Sequence, residues 1–313
     1  MMIPTVSIII VNYNTDIYLK KCLDTIIKNT KGITYEIIVI DNNSSRREIE
    51  KFPLIFPDVK FIFRNCNDGF GAGCNEGVRN SSSDFILIVN PDILFINNAV
   101  KLLYEVMMNY KGIGLCSPLF IDENGNSLFS FNKFPNLKWE LIEFFGLDGT
   151  KSENKLLKLL DNHRDPDKPF YFDSVTGACM FLRKDIFLKV GGFDTKIFLY
   201  YEDTDIQKKI SNAGYKIACI PAIKVIHHQN ISTKKSGDEN SYLLNLNRSK
   251  LIYYLNNTGV TKRTILRIMN ILSYFLRLIS LYLRLKYKSQ RKQKAYQYLQ
   301  ILKYNLFYHT IKK

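Results

Sequence analysis

Acidic side chains at two places in the sequence, about 110 positions apart, are the ones best suited to catalysis. The first is Asp92, which follows the apolar run 85–89. The second is the run Glu202-Asp203-Thr204-Asp205, which follows the mainly aromatic residues 198–201. A carboxylate can hold a divalent cation that neutralises a departing diphosphate, and a second carboxylate can accept a proton from the attacking group. The two groups therefore predict an enzyme that transfers a sugar from a nucleotide.

The first acidic group is placed by a run of strands and helices. Residues 85–89 are continuously apolar, which is typical of a strand buried on both faces. Ligands of open α/β sheets bind at the carboxyl ends of such strands. Strand signals at 6–11, 36–40, 59–63 and 85–89 alternate with helix signals near 18–29, 46–51 and 71–80. This alternation predicts a nucleotide-binding α/β half over about residues 1–95.

The second acidic group lies in a less regular stretch. The pattern predicts a helix near 99–110, a strand near 113–117, and a variable loop with helical pieces over 129–168. Regular signals return at 174–183, 185–190 and 203–213, where Gly214 is expected to cap the helix. A last strand at 217–225 leads to His227 and His228. We expect residues 96–235 to form the acceptor-binding half of one catalytic domain, followed by a helical, basic region at 236–313.

The charge of the chain is concentrated in that last region. The net charge is +15, and residues 241–313 hold 15 of the 44 Lys and Arg with no Asp or Glu. The remaining 29 basic residues balance the 29 acids of residues 1–240. Six cysteines without paired spacing indicate neither a zinc site nor a disulfide framework, so the reducing cytoplasm is the expected compartment.

Residues 262–288 show helical periodicity with two distinct faces. At 100° per residue, the polar residues fall within about 140° of arc; they are Arg263, Arg267, Asn270, Ser273, Arg277, Ser280 and Arg284. The apolar remainder predicts a helix that lies in a membrane surface, because its charges should exclude an ordinary spanning helix. Five basic residues could add about 1 kcal/mol each on an anionic membrane surface; they are Lys286, Lys288, Arg291, Lys292 and Lys294.

The basic region has two alternative partners, nucleic acid and protein. Nucleic acid is disfavoured, because duplex binding would leave the apolar face in water. A helix that packs on the catalytic domain, or on a second subunit in a homodimer, is the structural alternative.

Six short motifs occur in an order that resembles bacterial family 2 glycosyltransferases, with the rhamnosyltransferase-like members the nearest likeness. They are Val6 to Asn14, Ile40 to Ser44, Asn67 to Gly77, Asn90-Pro91-Asp92, Gly191 to Asp194, and Tyr201 to Asp205. The resemblance covers about residues 4–235. It implies a GT-A fold, which is a Rossmann-like α/β fold with a mixed, mainly parallel sheet flanked by helices. It also implies a nucleoside-diphosphate sugar donor and inversion at the anomeric carbon.

The resemblance assigns the donor nucleotide to the first four motifs. Asp41 is expected to contact the base, with Asn12, Tyr13 and Asn14 lining the same pocket. The other residues expected on the donor are Asn67, Gly71, Asn75 and Asn90. The alternative for Asp41 to Ser44 is a plain strand-to-helix turn, since Asp, Asn and Ser favour turns.

A metal site is expected around Asp92. Many family members carry two acids here, whereas this chain offers a single carboxylate for Mg²⁺ or Mn²⁺. The family also often supplies a histidine, and His227 fits the spacing to Ser232 better than His228 does. Strand alternation puts only one of the two on the ligand side. The alternatives are an Asp in a simple turn and two surface histidines.

Asp203 is the expected general base for the acceptor hydroxyl. The neighbouring Glu202 and Asp205 should repel it and raise the pKa of whichever acid is least solvated. Helix capping is the alternative, although it accounts for one or two acids and not for three. Expected acceptor-side or supporting residues are Gly177, Phe193, Asp194, Glu202, Asp205 and Lys209. Lys209 stands where the family commonly has Arg, so it would act as a point charge.

The predicted enzyme is a metal-dependent inverting glycosyltransferase at the cytoplasmic face of the inner membrane. Its expected donor is dTDP-rhamnose, with a UDP-sugar possible, and its expected acceptor is a lipid-linked saccharide of a surface polysaccharide or O-antigen. One alternative is a non-catalytic scaffold that binds nucleotide sugars. A nucleotidyltransferase is another, but residues 12–16 lack the basic phosphate-binding loop it would need.

Overall fold

The computed structural model describes residues 3–45, 47–145, 165–228, 239–283 and 291–307. These residues form two compact units. We call the first the sheet unit; its residues belong to Met1–Phe134, Thr150–Phe198 and Glu202–Lys235. We call the second the helical unit; its residues belong to Pro135–Gly149, Leu199–Tyr201 and Ser236–Lys313.

The sheet unit begins with four parallel strands in the order β3-β2-β1-β4. Their bounds are β1 (Val6–Asn12), β2 (Tyr35–Asp41), β3 (Val59–Phe63) and β4 (Phe85–Val89). The connections are α1 (Asp16–Asn29), a 3₁₀ helix (Arg47–Lys51) continued by α2 (Phe52–Ile55), and α3 (Phe70–Arg79). The predicted helix near 46–51 is therefore a 3₁₀ turn, and its first residue, Arg46, lies outside the described residues.

The rest of the sheet is mixed in direction. Its strands are β5 (Ile93–Phe95), β6 (Ile113–Ile121), β8 (Phe170–Phe172), β10 (Cys179–Arg183) and β11 (Lys216–His227), with a separate pair β7 (Phe131–Asn132) and β9 (Ser174–Val175). The order continues β4-β10-β6-β11-β5, with β8 also on β11. The helices of this stretch are α4 (Ala99–Asn109), α5 (Leu137–Phe144, in the helical unit), α6 (Lys184–Lys189) and α7 (Glu202–Asn212). The predicted mixed α/β architecture is confirmed.

Both faces of the central strands are buried, as their apolar runs predicted. Alternate residues of β1 point to opposite sides, with Ile8 in one apolar cluster and Ile9 in the other. Helix α3 approaches β1 so closely that a Cβ at Gly77 would lie 2.3 Å from Ile9 Cγ2. A Cβ at Gly73 would lie 2.8 Å from Val11 Cγ1. These glycines therefore serve helix-on-sheet packing.

Several elements differ from their predicted extents. The regular stretch predicted at 174–183 breaks at Thr176-Gly177-Ala178 into β9 and β10. Strands β5, β7 and β8 were missed because two or three residues carry too little alternation to be recognised. Gly214 has a φ of +90° and ends the helical stretch after α7, which confirms the predicted cap.

The helical unit contains α8 (Glu239–Thr258), α9 (Val260–Leu283) and α10 (Arg291–Phe307) together with α5. Helix α9 accounts for the predicted periodicity up to residue 283, and residues 284–290 lie outside the described residues. Within the described chain, α9 alone is long and apolar enough to cross a membrane by length and composition. Its charges therefore do not exclude a span, contrary to the sequence prediction, because residues 266–283 carry only Arg267 and Arg277.

Candidate active site

The two acidic groups are brought together at one edge of the sheet. Strand β10 runs antiparallel to β4, so the residues before β10 lie beside the end of β4. Asn90 N–H donates to the Ala178 carbonyl at 2.8 Å. One residue earlier, Gly177 N–H donates to Asp203 Oδ2 at 2.9 Å. A two-residue bridge thus links the predicted base to the Asn90-Pro91-Asp92 turn.

Asp203 is half-buried in the first turn of α7. Its second oxygen, Oδ1, accepts hydrogen bonds from Thr204 N–H at 2.7 Å and from Thr204 Oγ1 at 3.2 Å. Burial raises the pKa of Asp203, and the hydrogen bonds from Gly177 and Thr204 oppose that rise. A carboxylate held in place with a raised pKa is suited to accept a proton.

Gln207, which the sequence analysis missed, fixes the segment around Asp203. Its side-chain amide is fully buried and bonds both Val175 N–H and the Val175 carbonyl at 2.7 Å. Its Nε2 also donates to the Asp203 carbonyl at 3.0 Å. The detectable signal was a polar residue one helical turn after Asp203 on the same side of α7 as the buried Ile210.

Glu202 and Asp205 point into the protein. Glu202 is 6% exposed, and its Oε2 has no hydrogen-bond partner among the described residues. Burial, and secondarily the charge of Asp203, raise the pKa of Glu202 well above its usual value. Asp205 is fully buried and pairs with Lys209 Nζ at 2.7 Å. Lys209 therefore acts as a point charge beside one member of the acidic cluster.

Asp92 and His227 lie next to each other. Strand β11 pairs with β5 so that His227 is opposite Ile93, which directly follows Asp92. Asp92 is 7% exposed, and its Oδ1 lies 3.6 Å from His227 Nε2. His228 points elsewhere, with Nδ1 at 3.1 Å from Glu123 Oε1. Ser232, on which the predicted spacing relied, lies outside the described residues.

This pair suits a divalent cation whose remaining ligands come from the substrate. Asp92 Oδ1 is buried without a hydrogen-bond partner among the described residues, which is unfavourable unless a ligand or cation satisfies it. In the described part of the chain, no group of three His, Cys, Asp or Glu side chains is arranged to hold a metal. One carboxylate with substrate phosphates is a common arrangement for Mg²⁺, and imidazole is compatible with Mn²⁺.

The pocket predicted to hold the nucleotide base contains a hydrogen-bonded network at the ends of β1 and β2. Asn12 Nδ2 donates to Asp41 Oδ1 at 2.8 Å, and Ser44 N–H donates to Asp41 Oδ2 at 2.9 Å. Asn14 has a left-handed φ of 56°, and its Oδ1 accepts from Ser45 N–H at 2.9 Å. Tyr13 is 48% exposed beside this network. Residues Asp41 to Ser44 thus form a turn, and Asn12 also holds the Asp41 carboxylate by a hydrogen bond.

The remaining predicted residues make mainly structural contacts. Asn75 bonds both Phe193 N–H at 3.0 Å and the Phe193 carbonyl at 2.9 Å. A Cβ at Gly71 would lie 2.8 Å from Phe193 Cβ. Asn67 Oδ1 accepts from Gly69 N–H at 3.0 Å, and Asp194 Oδ1 accepts from Lys196 N–H at 3.0 Å. Their roles toward donor or acceptor stay predictions.

Comparison with known proteins identifies the family. The sequence profile described as Glycosyl transferase family 2 matches residues 7–190, which is more than half of the chain. The chain is a family 2 glycosyltransferase. This glycosyltransferase is 31% identical over 238 residues to the rhamnosyltransferase WbbL of Escherichia coli K12, covering 71% of this chain and 83% of that protein.

A second relative supports the same subgroup of glycosyltransferases. The N-acetylglucosaminyl-diphospho-decaprenol L-rhamnosyltransferase of Mycobacterium tuberculosis is 22% identical over 264 residues, covering 80% of this chain and 84% of the relative. The resemblance to rhamnosyltransferase-like members is confirmed.

Solved structures confirm the GT-A fold of this glycosyltransferase. The mannosyltransferase PcManGT from Pyrobaculum calidifontis, solved with GDP-Man and Mn²⁺, superposes with a TM-score of 0.58 at 13% identity, covering 99% of this chain and 89% of that one. GalNAc-T7, solved with UDP, GalNAc and Mn²⁺, gives 0.56 at 17% identity, covering 80% and 50%. At these identities the likeness concerns the fold.

Proposed function

We propose that this glycosyltransferase inverts the anomeric carbon as it moves a sugar from a nucleoside-diphosphate donor to a lipid-linked saccharide. The observation that carries the proposal is the bridge from Asp203 through Gly177 and Ala178 to Asn90. It holds a carboxylate with a raised pKa at the same sheet edge as the Asp92–His227 pair. An inverting transfer needs these two elements, a base for the acceptor and a site for the departing diphosphate.

Asp203 is the general base in this proposal. Its two oxygens are held by Gly177 N–H and Thr204 N–H, so the carboxylate is already oriented before the acceptor arrives. It removes the proton of the attacking hydroxyl as the new glycosidic bond forms. General-base catalysis of this kind contributes about 10²- to 10⁴-fold in rate.

Asp92 and His227 are the residues that would hold Mg²⁺ or Mn²⁺. A bound divalent cation would neutralise the charge that develops on the leaving diphosphate. Asp41, fixed by Asn12, would accept hydrogen bonds from the nucleotide base. Asp92 is only 7% exposed, so water has little access to its side chain.

The names of the relatives favour rhamnose as the transferred sugar. Both relatives described above are rhamnosyltransferases, and one is named for a diphospho-decaprenol substrate. We infer dTDP-rhamnose as the leading donor, with a UDP-sugar as the alternative. The inferred product belongs to a surface polysaccharide or O-antigen. The inferred location is the cytoplasmic face of the membrane, where the basic helical unit would meet anionic lipid.

The test is nucleotide release by the purified full chain, with Mg²⁺ or Mn²⁺, across a panel of dTDP-, UDP- and GDP-sugars. We expect metal-dependent release from one donor, abolished in Asp203→Asn and Asp92→Ala and kept in the exposed-acid control Asp185→Asn. Release that persists in Asp203→Asn would overturn the assignment of the base. Nucleotide binding without release, even with lipid-linked saccharides added, would favour the scaffold alternative.

A further inference from the structure

Helix α9 exposes its apolar side, and part of its polar side is buried. Eight large apolar residues lie within about 120° of arc at 100° per residue, and each is at least 42% exposed. They are Ile265, Ile268, Leu272, Phe275, Leu276, Ile279, Tyr282 and Leu283. We call this surface the apolar stripe. A helix that packs in water buries such a stripe against its neighbours.

The opposite side of α9 contacts other helices of the unit through polar groups. Arg267 Nε donates to the Asn305 carbonyl at 2.8 Å, near the end of α10. Asn305 is fully buried, and its Nδ2 donates to Asn247 Oδ1 of α8 at 2.8 Å. Arg263 is only 9% exposed and Gln297 only 5%. Leu266 of α9 is also buried, and Arg267 and Asn305 each make a hydrogen bond between helices.

This arrangement differs from the one predicted from sequence. The prediction placed the arginines along the border of an apolar face at a membrane surface. Instead, Arg267 bonds to the end of α10 and Arg263 is buried, while Arg277, in the same polar arc, is exposed. The described residues thus cover part of the polar arc, whereas they leave the apolar stripe exposed.

We propose that the apolar stripe of α9 is embedded among the acyl chains of a lipid bilayer, while α8 and α10 cover part of its polar side. Polar residues that hydrogen-bond between helices and apolar residues that face outward form the distribution expected in lipid. Helix α9 has 24 residues, or about 36 Å at 1.5 Å per residue, against a hydrocarbon core of about 30 Å.

The charge of the region favours lipid over a second copy of the chain. Residues 240–313 contain no Asp or Glu, so two copies meeting here would bring like charges together. Anionic lipid headgroups would instead attract Lys262, Lys292 and Lys303, which are exposed. The proposal rests on the membrane location in the proposed function and deepens it from attraction at the surface to insertion.

The first experiment separates insertion from electrostatic attraction. Membranes from cells that express the full chain are washed at about 1 M NaCl, where the Debye length is about 3 Å. We expect the protein to stay in the pellet and to need detergent for release. Release by salt alone would overturn the proposal and leave surface attraction as the binding mode.

Matched variants locate the inserted surface. Leu272→Glu, Phe275→Glu and Ile279→Glu together should move the protein to the soluble fraction. The control carries the same number of charges at exposed apolar positions of the sheet unit, Ile17→Glu, Leu54→Glu and Leu188→Glu. It should stay in the pellet. Equal solubilisation by both triples would count against the stripe.

A fluorescence experiment distinguishes lipid from a protein partner. It uses single Trp substitutions, so it does not depend on whether the triple Glu variants fold. The chain has a single tryptophan, Trp139, so Trp139→Phe gives a dark background. Phe275→Trp in that background should be quenched by vesicles of phosphatidylglycerol with brominated acyl chains, and Ile17→Trp should not. An unquenched Phe275→Trp, with a dimer seen by light scattering, would assign the stripe to a second copy. This readout needs no donor or acceptor, so it is independent of the transfer assay.

Discussion

Asp203 Oδ2 accepts a hydrogen bond from Gly177 N–H at 2.9 Å, and a Cβ at position 177 would lie 2.6 Å from Asp203 Cβ. The absence of a side chain at Gly177 is therefore what lets the carboxylate reach that backbone N–H. Because Ala178 in turn accepts from Asn90 N–H, the position of Asp203 is tied to the end of β4. Substitutions at Gly177 and Ala178 should therefore affect the candidate site, although neither residue has a reactive side chain.

Gly177→Ala should lower kcat. The added methyl collides with Asp203, so the carboxylate must shift away from its hydrogen bond. We expect at least a tenfold loss in kcat, in line with the roughly 100-fold cost of a misplacement of about 1 Å. Gly112→Ala is the control, because a Cβ there meets nothing within 4 Å. Equal activity of the two variants would contradict the role of Gly177.

The pH dependence of transfer should report the Asp203 carboxylate. The base works when deprotonated, so kcat/KM should fall as the pH drops through its pKa. Burial raises that pKa, so the acid limb should lie above the value of about 3.9 for an ordinary Asp. Thr204→Ala removes a hydrogen bond that favours the charged form, and it should move the limb to higher pH. A limb that moves to lower pH in Thr204→Ala would exclude Asp203 as its source.

Gln207→Met should both destabilise the protein and slow transfer. The substitution keeps a similar volume but leaves Val175 N–H and its carbonyl without their buried partner, at about 1–3 kcal/mol per group in the free energy of unfolding. Chemical denaturation and kcat should both report the change, with KM for the donor nearly constant. The exposed Gln293→Met is the control. A loss of stability at unchanged kcat would restrict Gln207 to a structural role.

His227→Ala should weaken metal activation, and His228→Ala should not. His227 Nε2 lies 3.6 Å from Asp92 Oδ1, whereas His228 points to Glu123. We expect the Mn²⁺ concentration for half-maximal activity to rise by about tenfold or more, since even outer-shell partners contribute about 10- to 100-fold. The measurement is a Mn²⁺ titration of donor turnover in both variants. A larger effect from His228→Ala would reverse the assignment of the two histidines.

Glu202→Gln should stabilise the protein at neutral pH and have little effect in acid. The folded-state pKa of Glu202 is raised above its unfolded value, so folding favours the protonated form. The stability that this group contributes is therefore present below the unfolded pKa of about 4.3 and is lost as the pH rises through the folded pKa. A neutral Gln avoids that loss. Thermal unfolding from acid to neutral pH should show the gap between variant and parent widening, while the exposed Glu50→Gln shows none.

The types of element and their order were predictable because each depends on local pattern. Continuous apolar runs marked β1, β2 and β4, and Gly214 marked the end of the α7 stretch. The short strands β5 and β8 were not predictable, because three residues pair only when β11 is already present. The break at Gly177 was also hidden, since Gly177 N–H bonds to Asp203, which lies 26 residues further along the chain.

For the candidate site, the sequence by itself determined where the acids stand: Asp41 and Asp92 at strand ends, and Glu202, Asp203 and Asp205 in the first turn of a helix. Only the tertiary structure decided their partners. The pairing of β11 with β5 put His227 and not His228 beside Asp92. The packing of α7 on β9 let the buried Gln207 side chain hydrogen-bond to Val175. In α9 the sequence determined two faces, whereas the neighbouring helices decided which part of the polar face is covered. Periodicity depends on one segment's own geometry, but the partner of each face depends on strand register and helix packing between distant segments.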